Sequence, residues 1–241
     1  MTGTALQGDW AFLTSGPLMG LTVTLLAYRG AEAVFQWSRR NPLANPVLLA
    51  ILALATFLTV TGIDYQTYFN GAQFLHFLLG PATVALAIPL YRQIHALRGS
   101  LLAVFVALLG GSLTAIVSGA GIAWGLGASE RTILSLAPRS ATTPIAMAIT
   151  ERIGGLPSLT AVLVILTGIT GAITATWVLD LVGVKDERAR GLGIGVASHG
   201  IGTARAFQMS EATGAFSGLA MGLNGVATAV LVPLLVTLVK R

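Results

Sequence analysis

Marked for charge alone, the chain alternates between long runs without Asp, Glu, Lys or Arg and short segments that carry them. Six runs stand out: Ala11–Tyr28, Leu43–Ile63, Ala72–Tyr91, Leu101–Ser129, Ile153–Leu179 and Ala212–Val239. A helix that crosses a bilayer needs about 20 mostly apolar residues. The pattern therefore predicts an all-α polytopic membrane protein with about six full spans. Strands of alternating polarity, the mark of a membrane barrel, are absent.

Two polar stretches interrupt this pattern. Ala197-Ser198-His199-Gly200-Ile201-Gly202-Thr203-Ala204-Arg205-Ala206 places a histidine, an arginine, hydroxyls and glycines in apolar surroundings. A charge at the bilayer centre costs about 2.5–3.5 kcal/mol on insertion scales, and glycine in a helix interior costs about 1 kcal/mol relative to alanine. Both costs in one place predict a broken helix whose polar groups point at something. The earlier stretch, Pro138-Arg139-Ser140-Ala141-Thr142-Thr143-Pro144, has two prolines that one regular helix does not accommodate. Setting Thr143 on Thr203 aligns Ala146 with Ala206, Glu151 with Glu211 and Gly154 with Gly214, and Arg139 then meets His199. Each copy runs into a long uncharged stretch, as transporter repeats do. The expectation is one domain over residues 1–241, with N-terminal helices to 130, a repeat unit over 131–182 and a second over 191–239. The broken segments are read as re-entrant, which leaves one span between the copies and makes them inverted.

Loops and punctuation fill in the remainder. Arg29, Arg39 and Arg40 against Glu32 read as a basic cytoplasmic loop, Asp64 as an outside one, and Arg92 and Arg98 as cytoplasmic again. Asn41-Pro42 stops one helix, Asn45-Pro46 starts the next, and Thr61-Gly62 ends it. Gly80-Pro81 beside Thr83 reads as a third polar break. Gly110, Gly111, Gly119, Gly121, Gly125 and Gly127 are read as packing positions. Gly154-Gly155-Leu156-Pro157 is a turn before a helix start, Asp180–Arg190 a mixed-charge loop, and Lys240 and Arg241 an outside end. Composition agrees with the membrane class: 54% hydrophobic, 10% charged, mean hydropathy +0.81. The net charge of +5 is then a topology signal and implies no nucleic-acid partner. Cysteine is absent, so disulfides and thiolate metal sites are excluded. Met1–Trp10 lacks a basic leader region and is read with the following run as an anchor that stays.

Taken together, Pro138–Ala146, Gly154-Gly155-Leu156-Pro157-Ser158-Leu159-Thr160-Ala161 and Ala197–Ala206 resemble the LrgB/CidB family. Ala189-Arg190-Gly191-Leu192 and Leu79-Gly80-Pro81-Ala82-Thr83 also fit, so the resemblance covers nearly the whole chain. It implies two functions. Bacterial members bear an antiholin-like label tied to murein hydrolase control and autolysis, beside a smaller holin-like (LrgA/CidA-type) partner. A fused plant relative moves glycolate and glycerate across the chloroplast inner envelope, and bacterial relatives are tied to pyruvate movement. A separate holin-like partner, the lipid bilayer and further copies of the chain itself are the partners expected. The expected location is the cell's inner (plasma) membrane, with a plastid envelope second.

Helix breaks expose N–H groups at half-helix N-termini, each worth roughly half a positive charge. With Arg139, Arg205 and His199 nearby, two facing breaks would make an anion site for a small carboxylate. The hydroxyls of Ser140, Thr142, Thr143, Ser198 and Thr203 suit the hydroxyl of a 2-hydroxy acid, and Gly200 and Gly202 let backbone approach it. Pro81, Thr83 and Asn224 complete the expected substrate path. The bland alternative pairs the arginines with Glu151 or Glu211, or lets them reach the headgroups. His199, with an ordinary pKa near 6.5, suits proton coupling, with Glu151 and Glu211 next; its alternative role is a neutral ring capping freed carbonyls. Ser198 and His199 are adjacent and form no triad, no acid or histidine cluster has metal spacing, and Gly191-x-Gly193-x-Gly195 has no βαβ context. Neither catalysis nor a cofactor is expected. The first functional expectation is a proton-coupled secondary transporter of small monocarboxylates; the alternative is an antiholin-like regulator of murein hydrolase export.

Overall fold

Proline, asparagine and glycine set the helix boundaries. The computed structural model describes residues 17–85, 87–92, 94, 95, 99 and 101–239, and its regular elements are all helical. The expectations for Met1–Trp10, residues 11–16, Arg98, Lys240 and Arg241 lie outside the described residues. The chain divides into two compact units after Ala85.

In the first unit, α1 spans Pro17–Trp37, α2 Pro46–Thr61 and α3 Tyr65–Ala85, with a 3-10 turn at Pro42–Ala44. Asn45 caps α2 by accepting from the N–H groups of Val47 and Leu48, and Pro46 fills the first helical position. Gly62 stops α2 in the left-handed region at φ 68°. Those stops leave 16 residues, about 24 Å of helix at 1.5 Å per residue, against a hydrocarbon core of about 30 Å. Arg29 and Glu32 lie inside α1 and not in a loop. Within the helix Gln36 donates to Glu32 one turn earlier at 2.7 Å, and Arg40, beyond the helix end, donates back to Gln36 at 3.2 Å. Gly20 allows α1 to meet the α3 backbone, since a Cβ there would run into the Tyr68 carbonyl and the Ala72 nitrogen. Thr24 and Tyr68 share a 2.7 Å hydrogen bond beside it.

The second unit holds α4 (Ala87–Arg92), α5 (Leu101–Gly125), α6 (Glu130–Leu136), α7 (Thr143–Ile153), α8 (Pro157–Leu181), α9 (Glu187–Met209) and α10 (Glu211–Val239). Among the described residues, four helices are long and apolar enough to span a bilayer: Leu18–Trp37, Leu101–Gly125, Pro157–Leu181 and Glu211–Val239. The bent pair Tyr65–Leu75 and Gly80–Pro89 makes a fifth if it forms one span. The expected six becomes four or five because α2 is clipped short and α3 begins in the polar run after Asp64. Val104 and Leu108 of α5 pack with Leu192 and Val196 of α9 and Phe216 and Ala220 of α10 in one buried cluster.

Two segments of this unit leave and come back. The first starts at the end of α6, runs through an irregular stretch over 137–142, and returns along α7. Its two ends are tied: the Leu156 N–H donates to Ser135 Oγ at 2.7 Å, and Thr160 Oγ1 donates to the Ser135 carbonyl at 2.9 Å. Thr150 and Thr160 add a 2.9 Å bond at the same place. Gly154, at φ 86°, turns the chain from α7 toward α8.

The second segment is α9 itself, which folds back at His199 (φ 40°, ψ −136°) into limbs 187–198 and 200–209. The limbs touch, since a Cβ on Gly202 would meet Ser198 Cβ and Ile194 Cγ2. Both also reach Ser217 of α10: a Cβ on Gly195 would strike its carbonyl, and Thr203 Oγ1 lies 2.9 Å from its hydroxyl. The break expected within Ala197–Ala206 is thus a single residue, with helix on either side. Small residues permit this; Gly191 and Gly195 press the outbound limb onto α10 where any side chain would collide with backbone.

Candidate functional site

The tips of the two segments meet around the middle of α8 and α10. Ala141, near the first tip, packs with Ala146 and with Val164 of α8. His199, at the second tip, is buried and reaches the Val164 carbonyl at 2.9 Å. A carbonyl only accepts, so Nε2 carries the proton of that bond. Positive φ strains a residue with a Cβ by about 1–3 kcal/mol, and the ring's bond and burial offset that strain.

Asn224 joins both segments from α10. Its Nδ2 donates to the Ser140 carbonyl at 3.0 Å and to the Val196 carbonyl at 3.3 Å. Its Oδ1 accepts from Ser112 of α5 at 2.6 Å. In an unbroken helix the Val196 carbonyl would accept from residue 200; the turn at His199 frees it, and the amide takes it up. An unpaired buried carbonyl costs about 1–3 kcal/mol, so one buried side chain relieves both breaks.

A cavity of about 700 Å³ lies beside this junction, between α5, the first break, α8 and the outbound limb of α9. Arg139, Ser140 and Ser198 line it, with Thr114 of α5 and Thr167, Thr170 and Thr174 of α8. The threonines recur at helical spacing and give α8 a hydroxylated stripe toward the cavity. Arg139 is the charged group of the lining, donating to the Ala115 carbonyl at 3.0 Å. That is its hydrogen bond among the described residues, and no carboxylate there pairs with it.

Glycines in the spans seat the polar tips. A Cβ on Gly119 would overlap the Arg139 guanidinium, one on Gly171 would overlap Ser198 Oγ, and one on Gly168 would stand 2.7–2.8 Å from the His199 ring. By sequence Gly119 is a packing position, and Gly168, Gly171 and the threonines sit inside featureless apolar runs.

Other expected site residues fall elsewhere. Thr203 is buried and spends its hydroxyl on the His199 carbonyl at 2.8 Å and on Ser217. Gly202 packs limb against limb, and Gly200 has open room, with Met221 Sδ 3.7 Å from where a Cβ would stand. Arg205 lies on the return limb, outside the cavity lining, and donates to Gln208 at 3.1 Å. Thr142 sits at the N-cap of α7 without a side-chain capping bond, and Thr143 is the first residue of that helix. Glu151 is exposed in the last turn of α7, whereas Glu211 opens α10 and pairs with Arg92 at 3.1 Å. Their equivalence by 60-residue offset does not extend to position in a helix. Pro81 lies within α3 in the first unit, and the side chain of Thr83 lies outside the described residues.

Charge around the connection from α8 to α9 is arranged locally. Asp186 caps the outbound limb by accepting from the N–H groups of Arg188 and Ala189. The Arg188 guanidinium, 2.8 Å away, is the main cause holding the Asp186 carboxyl down at about 2. Arg190, mostly buried, meets Asp180 at 2.6 Å and the Val184 carbonyl at 3.0 Å, closing the 182–186 connection, so the expected loop Asp180–Arg190 is shorter at both ends because α8 runs to Leu181 and α9 starts at Glu187.

Comparison with known proteins gives a consistent result. The model of the LrgB-like family matches residues 24–238. "Uncharacterized protein YwbG" of Bacillus subtilis is 38% identical over 220 residues, covering 91% of this chain and 97% of that one. "Holin-like protein CidB" of Staphylococcus epidermidis is 34% identical over 90% of this chain and 95% of its own. "Antiholin-like protein LrgB" of Bacillus mycoides is 33% identical over 92% and 96%. No solved structure gives a significant match.

Proposed function

The chain belongs to the LrgB-like family, and from that premise we propose that it is a holin-like or antiholin-like component of the bacterial inner membrane. In this reading it works beside a separate holin-like partner to regulate murein hydrolase export and autolysis, without catalysing a reaction. The observation that carries it is the pair of relatives, matched over nine tenths of the chain, whose names are holin-like and antiholin-like. These names favour this reading over the carrier that the sequence put first. The test is autolysis in a host lacking its own pair, with the chain supplied alone and with a holin-like partner. The expected result is a change in detergent-triggered lysis rate that requires both proteins. Unchanged lysis with the pair present would overturn the assignment.

A second reading, a proton-coupled carrier of small carboxylates, is favoured by one specific observation: a hydroxylated cavity between two helix breaks containing an arginine without a carboxylate partner among the described residues. Preorganised donors of this kind suit an anion better than a neutral solute. Two segments reaching toward each other from the two ends of α8 also suit a repeated, inverted carrier unit. Uptake by the purified chain in liposomes, saturable and lost in Arg139→Gln, would place this reading ahead of the first; leakage without saturation would remove it.

A further inference from the structure

We infer that Gly119 is a positioning residue for Arg139, a notch in α5 that sets the depth at which the cavity holds an anion's charge. The inference rests on the anion-site reading given above. The three atoms nearest a Cβ built on Gly119 are Nη1, Cζ and Nη2 of Arg139. The guanidinium therefore lies against the bare backbone of α5, and its Nη1 donates to the Ala115 carbonyl, one turn before Gly119. Any residue with a Cβ at 119 moves the fork off that wall. Arg139 also lines the cavity, so the displaced fork has that space to enter.

The notch separates two properties that usually change together. The obstructed atoms are the far end of a flexible side chain, so Gly119→Ala does not require backbone to shift, and alanine suits a helix interior better than glycine. Charge and donors stay in place; only their depth changes. A guanidinium pushed inward leaves less room beyond it. Small anions then keep their contact, while longer ones lose the fit that bidentate pairing demands.

The experiment measures binding of formate and propanoate by titration calorimetry to the purified full chain in detergent or nanodiscs. In Gly119→Ala, propanoate weakens by about tenfold or more, while formate changes far less. Gly121→Ala, where a Cβ meets nothing within 4 Å, matches wild type. Equal propanoate binding in Gly119→Ala and wild type overturns the notch, and if Arg139→Gln abolishes binding in the same series, the anion site itself stands. Wild type that binds neither anion, or Arg139→Gln that binds as wild type does, overturns the anion reading and the notch with it. Should Gly119→Ala melt early, the double variant Gly119→Ala/Arg139→Ala decides: recovery of Tm shows that the guanidinium was the obstacle, and no recovery refutes the notch.

Discussion

At the scale of single residues, His199 carries the sharpest stereochemical signature. A continuous helix at this position would make glycine worse than alanine by about 1 kcal/mol. A turn at φ 40° reverses the order, because alanine keeps the strain of a Cβ at positive φ and glycine does not. Both variants lose the bond to the Val164 carbonyl, so it cancels between them. His199→Gly is therefore expected to be more stable than His199→Ala by about 1 kcal/mol or more, read as Tm or as the midpoint of denaturant unfolding. The opposite order would mean that α9 is unbroken. His199 was legible because a titratable residue between Ser198 and Gly200 in an apolar run needs a reason. Its receptor was not: Gly168 and Gly171 look like any small residues in a span, and nothing local says that a ring and a hydroxyl from about 30 positions downstream lie against them.

At the scale of elements, the outbound limb of α9 depends on its cap. Asp186→Ala is expected to cost about 0.5–2 kcal/mol, the range for losing an N-cap side chain. The pH dependence has a definite sign. The folded pKa of Asp186 is lowered to about 2 from an unfolded value near 4. Its contribution is therefore complete above roughly pH 4–5 and is lost as pH falls through about 2. Amide exchange in the first turn of α9, corrected for intrinsic rates, should keep its protection from neutral pH down to that window and lose it below; a loss centred near pH 6 would contradict the cap. The cap was readable in part, as a mixed-charge loop before a polar stretch. The long reach of α1 was not, because Arg29 and Glu32 read as loop residues by charge alone, whereas the 32 and 36 spacing lets Glu32 bond Gln36 one turn on along the helix face.

At the scale of the whole molecule, the folded-back segments predict sidedness. With no native cysteine, single cysteines at Glu187 and Gln208 report the two ends of α9. Both should react with a membrane-impermeant maleimide from one side of oriented vesicles, and a pair at Ser129 and Ser158 should share a side likewise. Labelling of either pair from opposite faces would show a crossing helix in place of a return. The membrane class and the positions of both interruptions were legible, since charge-free runs and breakers are local properties. The tally of spans was not, because helix ends depend on caps as well as on where charge resumes. The return of each segment depends on bonds such as Leu156 to Ser135, which pair residues that no pattern connects. Asn224 extends this to biogenesis. The carbonyls it satisfies are made 84 and 28 residues before it. At about 5–20 residues per second, roughly 4–17 s separate the synthesis of the Ser140 carbonyl from that of its partner. Until then the nascent chain holds two open polar wounds, which water or the insertion machinery must dress. A messenger truncated ahead of codon 224 would therefore yield a product that cellular quality control recognises as unfinished.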